Sequence, residues 1–524
     1  MNGNSKRLRA RPDAWMIGAA VVAVLAALPV AVVVGHLFVP AGDFWSHLVA
    51  TLLPDYLANT LWIMLGVAAG VTVGGVGCAW LVSLCRFPGR RTLEWALLLP
   101  FAVPAYVIAY TYTGLLDFSG PVQGLLRELF GWQRGDYWFP EIRSLGGAIT
   151  MMVLVLYPYV YMLSRAAFLE QSVCSLEASR TLGCGPWGSM VRVALPLARP
   201  SIVAGVALAL MEALNDFGTV QFFAVDTFVT GIYRTWLGQG NPTGAAQLAV
   251  LLLVFVLALL WLERRSRGRA SYHHLTIRYR PLPAYELKGW RAAGAFAFCA
   301  LPILFGFVLP AIALVVWTVR TADTVIDSRF ASLVLNTVML GALAAAVAVA
   351  VALLFGYGLR RRPGRAMTAL TRVASLGYAV PGAVIAIGVV IPFAWFDNAI
   401  DGFLRATFGI STGLLLSGTL FTLLFAYVVR FLAVSFGAVD SGLSRVTGHM
   451  DDAARTLGHR TGGILWRVHI PMLKGSMLTA ALLVFVDVMK ELPATLMIRP
   501  FNFETLAVRT YEYAADEQLM EAAP

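Results

Sequence analysis

The chain has 524 residues, of which 59% are hydrophobic and 13% are charged, and its mean hydropathy is +0.73. A soluble domain usually carries about 25% charged residues, so this composition excludes a protein that meets water over its whole surface. The net charge of +11 does not indicate nucleic-acid binding, because the basic residues form short clusters beside long apolar stretches.

The apolar stretches have the length of membrane-crossing helices. Residues 14–34 are apolar apart from glycine and proline, and residues 333–359 carry no charge. Roughly 20 apolar residues cross a bilayer as a helix, whereas a transmembrane barrel shows alternation in segments of about ten residues. We therefore predict an all-α integral membrane protein. The predicted spans are residues 14–39, 57–85, 92–116, 145–168, 200–223, 244–263, 292–319, 333–359, 368–396, 410–437 and 475–499.

The basic clusters predict which span ends face the cytoplasm. They lie at residues 6–11, 86–91, 264–269 and 360–365. A cytoplasmic N-terminus puts every cluster inside, with roughly three quarters of the 40 Lys and Arg residues, and leaves Lys490 within a span. We therefore predict a multi-pass membrane protein with a cytoplasmic N-terminus, in contact with the lipid bilayer. None of the five cysteines then lies in a periplasmic loop, so no structural disulfide is expected.

Two halves of the chain carry the same motifs. The repeated motifs are Asn-Thr at 59 and 336, Ala-Val-Pro at 102 and 379, Arg-Thr-Leu-Gly at 180 and 455, and Arg-Thr at 234 and 509. Six spans per unit is an even number, so both units enter the membrane from the same side. Parallel repeats of this kind place a pathway at their interface. The predicted organisation is a first half at 1–262, a cytoplasmic linker at 263–291 and a second half at 292–524.

The second half is one span shorter than the first. A sixth span follows Gly244 in the first half, but its equivalent would begin near residue 520 and the sequence stops at Pro524. We expect about 11 transmembrane helices and a twelfth that is missing, because a half without it would expose packing surface to lipid. The alternative is a chain whose C-terminus lies outside.

The cytoplasmic loop between the fourth and fifth spans has a counterpart between the tenth and eleventh. The first copy reads Glu177-Ala178-Ser179, then Gly183 and Val193-Ala194-Leu195-Pro196, and the second reads Asp452-Ala453-Ala454, then Gly458 and Val468-His469-Ile470-Pro471. Each glycine permits the bend that ends a helix, and each proline is expected to close a second short helix before the next span. Such a helix pair at the membrane face can dock in a groove on a partner. An ordinary amphipathic loop would not repeat this spacing twice.

This duplicated motif resembles the EAA loop of binding-protein-dependent importer permeases: E-A-A, three residues, G, nine residues, I-x-L-P. The resemblance implies a protein of the bacterial inner membrane with two parallel-repeat permease halves like those of type I ATP-binding cassette importers, whose coupling loops bind two ATPase subunits. The coupling residues it implies are Glu177, Ala178, Ser179, Gly183, Pro196, Asp452, Ala453, Ala454, Gly458 and Pro471. No G-x-x-x-x-G-K-[ST] phosphate loop occurs in the sequence. We therefore expect a transport subunit that is not an enzyme and binds no cofactor, with ATP on the partner.

Ionisable residues lie in the predicted fifth and eleventh spans. Glu212, Asn215 and Asp216 match Asp487, Lys490 and Glu491 in the second half. Such residues in hydrocarbon are costly, so they normally face a pathway or one another. One interpretation is a translocation pathway selective for a cation, at the interface between the halves. The other, which we favour, is that a buried pair involving Lys490 fixes or gates the helices; no metal ligand is assigned.

The flanking segments resemble ferric-iron permeases. The resemblance lies in residues 215–221, 230–236, 490–495 and 505–511. It implies import of ferric iron delivered by a periplasmic binding protein, and the preference of Fe(III) for oxygen ligands agrees with the carboxylates. Importers of thiamine or phosphonates share the architecture and remain alternatives. A stand-alone ion-coupled secondary transporter has no need of two ATPase-docking loops, and motifs of membrane-embedded hydrolases are missing from the sequence.

Overall fold

In a computed structural model the chain is almost entirely helical. The structure describes residues 14–133, 135–170, 181–267, 285–361, 363–459 and 461–524. Within these ranges, 10 single helices are long and apolar enough to cross a membrane, and a bent pair raises the number to 11. The predicted all-α membrane fold is confirmed. The 10 helices are Trp15–Phe38, Leu53–Leu84, Leu145–Glu170, Met190–Asn215, Pro242–Ser266, Trp290–Val325, Ser328–Arg361, Gly382–Phe408, Leu420–Leu443 and Gly462–Met489.

Short elements join the spans. The bent pair is Arg90–Ala102 with Ala105–Phe130. The separate short helices are Phe44–Thr51, Pro186–Ser189, Gly218–Phe222, Phe228–Tyr233, Arg365–Ala374, Ser375–Ala379, Gly448–Thr456, Pro493–Ile498 and Leu506–Ala515. Two strands, Cys85–Arg86 and Tyr285–Glu286, pair in parallel with Cys85 opposite Tyr285.

The larger packing unit contains the described residues of Pro40–Ala331 together with Val508–Pro524. Its most extensive helix contact is between Leu53–Leu84 and Leu145–Glu170. Gly75 permits this approach, because a Cβ there would lie 2.6 Å from Cβ of Val160. Gly205 brings the fifth span close to the same residue, since its Cβ would lie 2.8 Å from Cα of Val160. Helices in membranes associate by such close backbone contacts, because lipid offers no hydrophobic drive.

The smaller packing unit joins the first span to Ser332–Ala507. Trp15–Phe38 packs on Gly382–Phe408, where a Cβ on Gly388 would lie 2.6 Å from Cα of Pro29. The smaller unit thus contains the first span of the first sequence half, Trp15–Phe38, although the rest of that unit comes from the second half. The larger unit likewise contains the first span of the second half, Trp290–Val325. The sequence boundaries at 262 and 292 describe the repeat, and they remain a prediction.

The third and ninth spans are broken at the repeated Ala-Val-Pro motif. Val103 (φ −93°, ψ 123°) and Val380 (φ −88°, ψ 126°) are both extended, because a following proline disfavours the helical conformation. The two parts of the third span meet at 91°. The predicted span 92–116 is therefore a bent pair of helices, and the predicted span 368–396 begins later, at Gly382.

The fifth and eleventh spans end before the predicted residues 223 and 499. Asp216 is extended (φ −68°, ψ 120°), and Lys490 follows the last helical residue of the eleventh span. Asp216, Lys490 and Glu491 thus lie just beyond the helix ends. The prediction that all six polar residues lie within the two spans is therefore wrong for these three, because they belong to the turns that follow the helices.

Candidate translocation and coupling sites

Asp216 caps the short helix that follows the fifth span. Its Oδ1 accepts a hydrogen bond from the Thr219 backbone N–H at 2.8 Å, and its Oδ2 accepts one from the Thr219 hydroxyl at 3.1 Å. A carboxylate at this position satisfies amides that the helix Gly218–Phe222 leaves without an internal partner. Glu212 lies one turn earlier and is half-buried, and Asn215 is buried.

Glu491 does the same after the eleventh span. Its Oε1 accepts a hydrogen bond from the Ala494 backbone N–H at 3.1 Å, again three residues on. Lys490 pairs instead with Asp487, at 3.0 Å between Nζ and Oδ1, and both side chains are about one quarter exposed. The two halves therefore repeat the capping carboxylate, while the pair of Lys490 is specific to the second half.

Sequence reasoning missed the partner of Glu491. Arg430, in the middle of the helix Leu420–Leu443, places Nη1 3.4 Å from Oε1 of Glu491, and the two side chains are 7% and 5% exposed. A Cβ on Gly382 would lie 2.8 Å from the same Oε1, so this glycine leaves room for the pair. The sequence carried a signal, an arginine inside an apolar run, but the basic-residue count had assigned only Lys490 to a span.

The repeated Asn-Thr motif holds the segments that follow these carboxylates. The Asn59 side-chain amide donates to the carbonyl of Asp226 at 2.8 Å, and that of Asn336 donates to the carbonyl of Glu504 at 3.2 Å. Thr337 also accepts a bond from the Leu506 N–H at 2.9 Å. In each half, a side-chain amide on a long helix thus holds the segment that follows the capping carboxylate, at equivalent positions.

Both copies of the repeated Arg-Thr motif lie in the larger packing unit. Nη2 of Arg234 is 2.6 Å from Oδ1 of Asp226, and its Nη1 donates to the Tyr56 hydroxyl at 3.3 Å. Arg509 pairs with Glu512 at 3.3 Å. Each arginine pairs with a nearby carboxylate, so both copies of the motif act within the fold.

The coupling loops contain the predicted bends. Gly183 and Gly458 both have φ +81°, in the left-handed region where glycine is favoured. Gly458 follows the helix Gly448–Thr456. Glu177, Ala178 and Ser179 lie outside the described residues, whereas Gly183 and Pro196 of the first copy are described.

The second copy is described apart from residue 460. Asp452 and Arg455 form an exposed pair at 3.0 Å, and Ala453 is exposed while Ala454 is buried. The leucine before each glycine points into solvent: Leu182 is 83% exposed and Leu457 is 77% exposed. The two loops thus share a bend at glycine and an exposed leucine beside it.

Pro196 and Pro471 do not close a separate helix. Each stands in the first turn of a long helix, Leu195–Asn215 or Ile470–Met489, which a π-turn joins to the preceding loop helix without a break. Proline is tolerated in a first turn, where its missing N–H costs no hydrogen bond. The prediction that proline ends the loop helix is therefore wrong, and the coupling loop continues directly into the span.

Comparison with known proteins places these features in a family. The family model described as binding-protein-dependent transport system inner membrane component matches residues 73–271 and 348–514. The chain is 25% identical over 477 residues to the Fe(3+)-transport system permease protein FbpB 2 of Haemophilus influenzae, covering 90% of this chain and 86% of that protein. The molybdenum transport system permease protein ModB of Escherichia coli is 31% identical over 208 residues, covering 38% of this chain and 87% of that protein. The ferric transport system permease protein FbpB of Actinobacillus pleuropneumoniae is 22% identical over 426 residues, or 76% of this chain and 58% of that protein.

Proposed function

Because the chain belongs to the family of binding-protein-dependent transport system inner membrane components, we propose that it is the permease of an ATP-driven importer for ferric iron. It is a multi-pass membrane protein and a transport subunit. In this proposal two separate ATPase subunits hydrolyse ATP, and a periplasmic binding protein delivers the substrate. The N-terminus lies in the cytoplasm, as the basic clusters predict.

The coupling loops support the proposed ATPase contact. Both copies bend at a glycine with φ +81° and present an exposed leucine beside it. The helices that follow the glycines continue without a break into the fifth and eleventh spans, so a displacement of either loop also displaces the span that it joins. Two such loops in one polypeptide suit a dimer of ATPase subunits.

The extent of the similarity supports ferric iron as the substrate. The match to the Haemophilus Fe(3+) permease spans 90% of this chain and therefore includes both halves. The match to the molybdenum permease is higher in identity but spans 38% of this chain, about the length of one half. The Haemophilus ferric permease thus matches both halves of this chain in one polypeptide. The molybdenum permease matches a length of about one half, which reflects the permease architecture that the two proteins share.

An oxyanion such as molybdate is the second candidate substrate, favoured by the 31% identity to ModB. Importers of thiamine or phosphonates remain sequence-based alternatives of the same class. The span ends favour a cation over an anion, because their four carboxylates outnumber the two cations that pair with them, Lys490 and Arg430.

The role of these charged residues remains a proposal. Glu212, Asn215, Asp216, Asp487, Lys490 and Glu491 are expected to face the pathway between the halves. The capping bonds of Asp216 and Glu491 and the pair of Lys490 with Asp487 favour fixing and gating of the helix ends over direct binding of substrate.

Uptake into liposomes tests the substrate. The chain is reconstituted with its ATPase and binding protein, and radioactive ferric iron, molybdate and 2-aminoethylphosphonate are offered in turn. We expect ATP-dependent accumulation of ferric iron alone. Accumulation of an oxyanion in place of iron would overturn the substrate assignment, and accumulation without ATP would favour the secondary-transporter alternative.

A further inference from the structure

One guanidinium at the cytoplasmic end of the eighth span joins two neighbouring elements. Arg360, in the last turn of Ser328–Arg361, donates from Nε to Oδ2 of Asp451 at 2.8 Å. Its Nη1 donates to the carbonyls of Val446 at 2.7 Å and Leu443 at 3.2 Å, and its Nη2 donates to that of Thr447 at 3.0 Å. A cation at these carbonyls also complements the C-terminal dipole of the helix Leu420–Leu443.

Asp451 extends the connection to a third element. Its Oδ1 lies 2.6 Å from Nε2 of His469, at the foot of the eleventh span. The His469 side chain is 1% exposed and its ring meets Tyr357 edge-on at 5.4 Å between centroids. Burial alone would raise the pKa of Asp451, but the bonds from Arg360 and His469 outweigh burial and hold that pKa below its usual range. The carboxylate is therefore ionised at neutral pH and accepts bonds on both oxygens.

These contacts differ in kind from the other ion pair of the loop. Asp452 and Arg455 are 68% and 64% exposed, and exposed pairs contribute little. Arg360 and Asp451 are 19% and 14% exposed, and their bonds are charge-assisted, which makes them about twice as strong as neutral ones. Movement of the helix Gly448–Thr456 is thus passed to the eighth, tenth and eleventh spans together.

The first half of the sequence lacks the groups for this arrangement. The repeat places Ser83, Leu176 and Ala194 at the positions of Arg360, Asp451 and His469. None of the three carries a charge. The arrangement therefore belongs to the second coupling loop and is not a general consequence of the repeat.

We propose that Arg360, Asp451 and His469 form a coupling latch, in which Arg360 is a positioning residue that makes the second coupling loop move as one body with the spans it serves. The proposal rests on the proposed function, since the movement it transmits is that of an ATPase subunit. It adds an asymmetry: one loop is fixed by buried charge, and the other lacks the residues to be fixed in that way.

The test measures ATP hydrolysed per ferric ion imported by the full complex in liposomes. The variants are Arg360→Gln, the isosteric Asp451→Asn and their combination. Arg361→Gln is the matched control, because it removes the neighbouring exposed arginine of the same helical turn. We expect Arg360→Gln and Asp451→Asn each to raise the ATP used per ion about tenfold, as the loss of a charged hydrogen bond would. The combination should be no worse than either single change, and Arg361→Gln should match the wild type.

Several outcomes decide the proposal. A merely structural role would lower uptake and hydrolysis together and leave their ratio unchanged, which would overturn the latch. Additive effects in the combined variant would overturn it as well. Should Arg360→Gln fail to assemble, Asp451→Asn decides alone, because its shape is that of aspartate. If the wild-type complex shows no hydrolysis stimulated by the binding protein, the proposed function fails instead; faster amide exchange of residues 443–456 in Asp451→Asn, without change in Arg361→Gln, would still support the latch.

Discussion

The ends of the fifth and eleventh spans perform the same structural task with different charge compensation. Asp216 and Glu491 both cap the helix that begins after them, through the amide three residues on. Glu491 is in addition paired with the buried Arg430. The repeated motifs lie 277 positions apart before this arginine and 275 after it, and valine stands at both corresponding positions of the first half, 153 and 155. A duplicated membrane fold thus retains a backbone role at each copy while the electrostatics diverge.

The largest effect is expected where the charge is buried and paired. Arg430→Met leaves Glu491 buried without its cation, and loss of one partner of such a pair costs about 3–5 kcal/mol. We expect a corresponding fall in the free energy of unfolding, measured with a denaturant in detergent micelles. The double variant Arg430→Met with Glu491→Met should recover most of the loss, because both charges are then absent. A single variant as stable as the wild type would show that the pair is solvated.

The two coupling-loop bends should respond equally. Gly183→Pro and Gly458→Pro each demand φ near −65° where the backbone has +81°. We expect either change to abolish import while ATP hydrolysis by the complex continues, which is read by measuring both rates in liposomes. Gly462→Ala, in the helical part of the second loop, serves as the control. Import at the wild-type rate by both proline variants would contradict the coupling-loop assignment.

Asp216 provides a milder test of the same comparison. Asn caps a helix about as well as Asp does, so Asp216→Asn should leave stability unchanged and reduce ferric-iron uptake by no more than about twofold. Glu491→Gln, by contrast, leaves Arg430 without its counter-charge and should lose more of both. Loss of uptake by a fully stable Asp216→Asn variant would indicate instead that this carboxylate contacts the substrate.

The smallest effect concerns pH at the latch. Because the native pKa of Asp451 lies below the ordinary value near 3.8, its contribution to stability is complete above that value and is lost as pH falls through the native pKa. The difference in Tm between the wild type and Asp451→Asn should therefore persist down to about pH 4 and shrink below it. Asp452→Asn, at the exposed neighbour, should shift Tm little at any pH. A difference that disappears already at pH 6 would contradict the charged latch.

The sequence predicted the class of fold, the number of spans and the repeat, because hydrophobic length and motif spacing are local signals. The helix breaks at Val103 and Val380 could also be predicted from the sequence, because each of these residues precedes a proline. The pairing of Arg430 with Glu491 was not, because the two residues lie 61 positions apart in the chain and meet through helix packing. The assignment of each first span to the packing unit of the other half could not be predicted either, because the sequence of an apolar helix does not specify which apolar helix it packs against.

The central claim is that this chain is driven by a separate ATPase through two coupling loops. Its most direct test is the mass of the complex purified with the ATPase, together with the hydrolysis rate of each component alone. We predict one permease chain with two ATPase subunits, and no ATP hydrolysis by the isolated permease. A permease that transports without any ATPase bound, or that hydrolyses ATP when purified free of other proteins, would contradict the account.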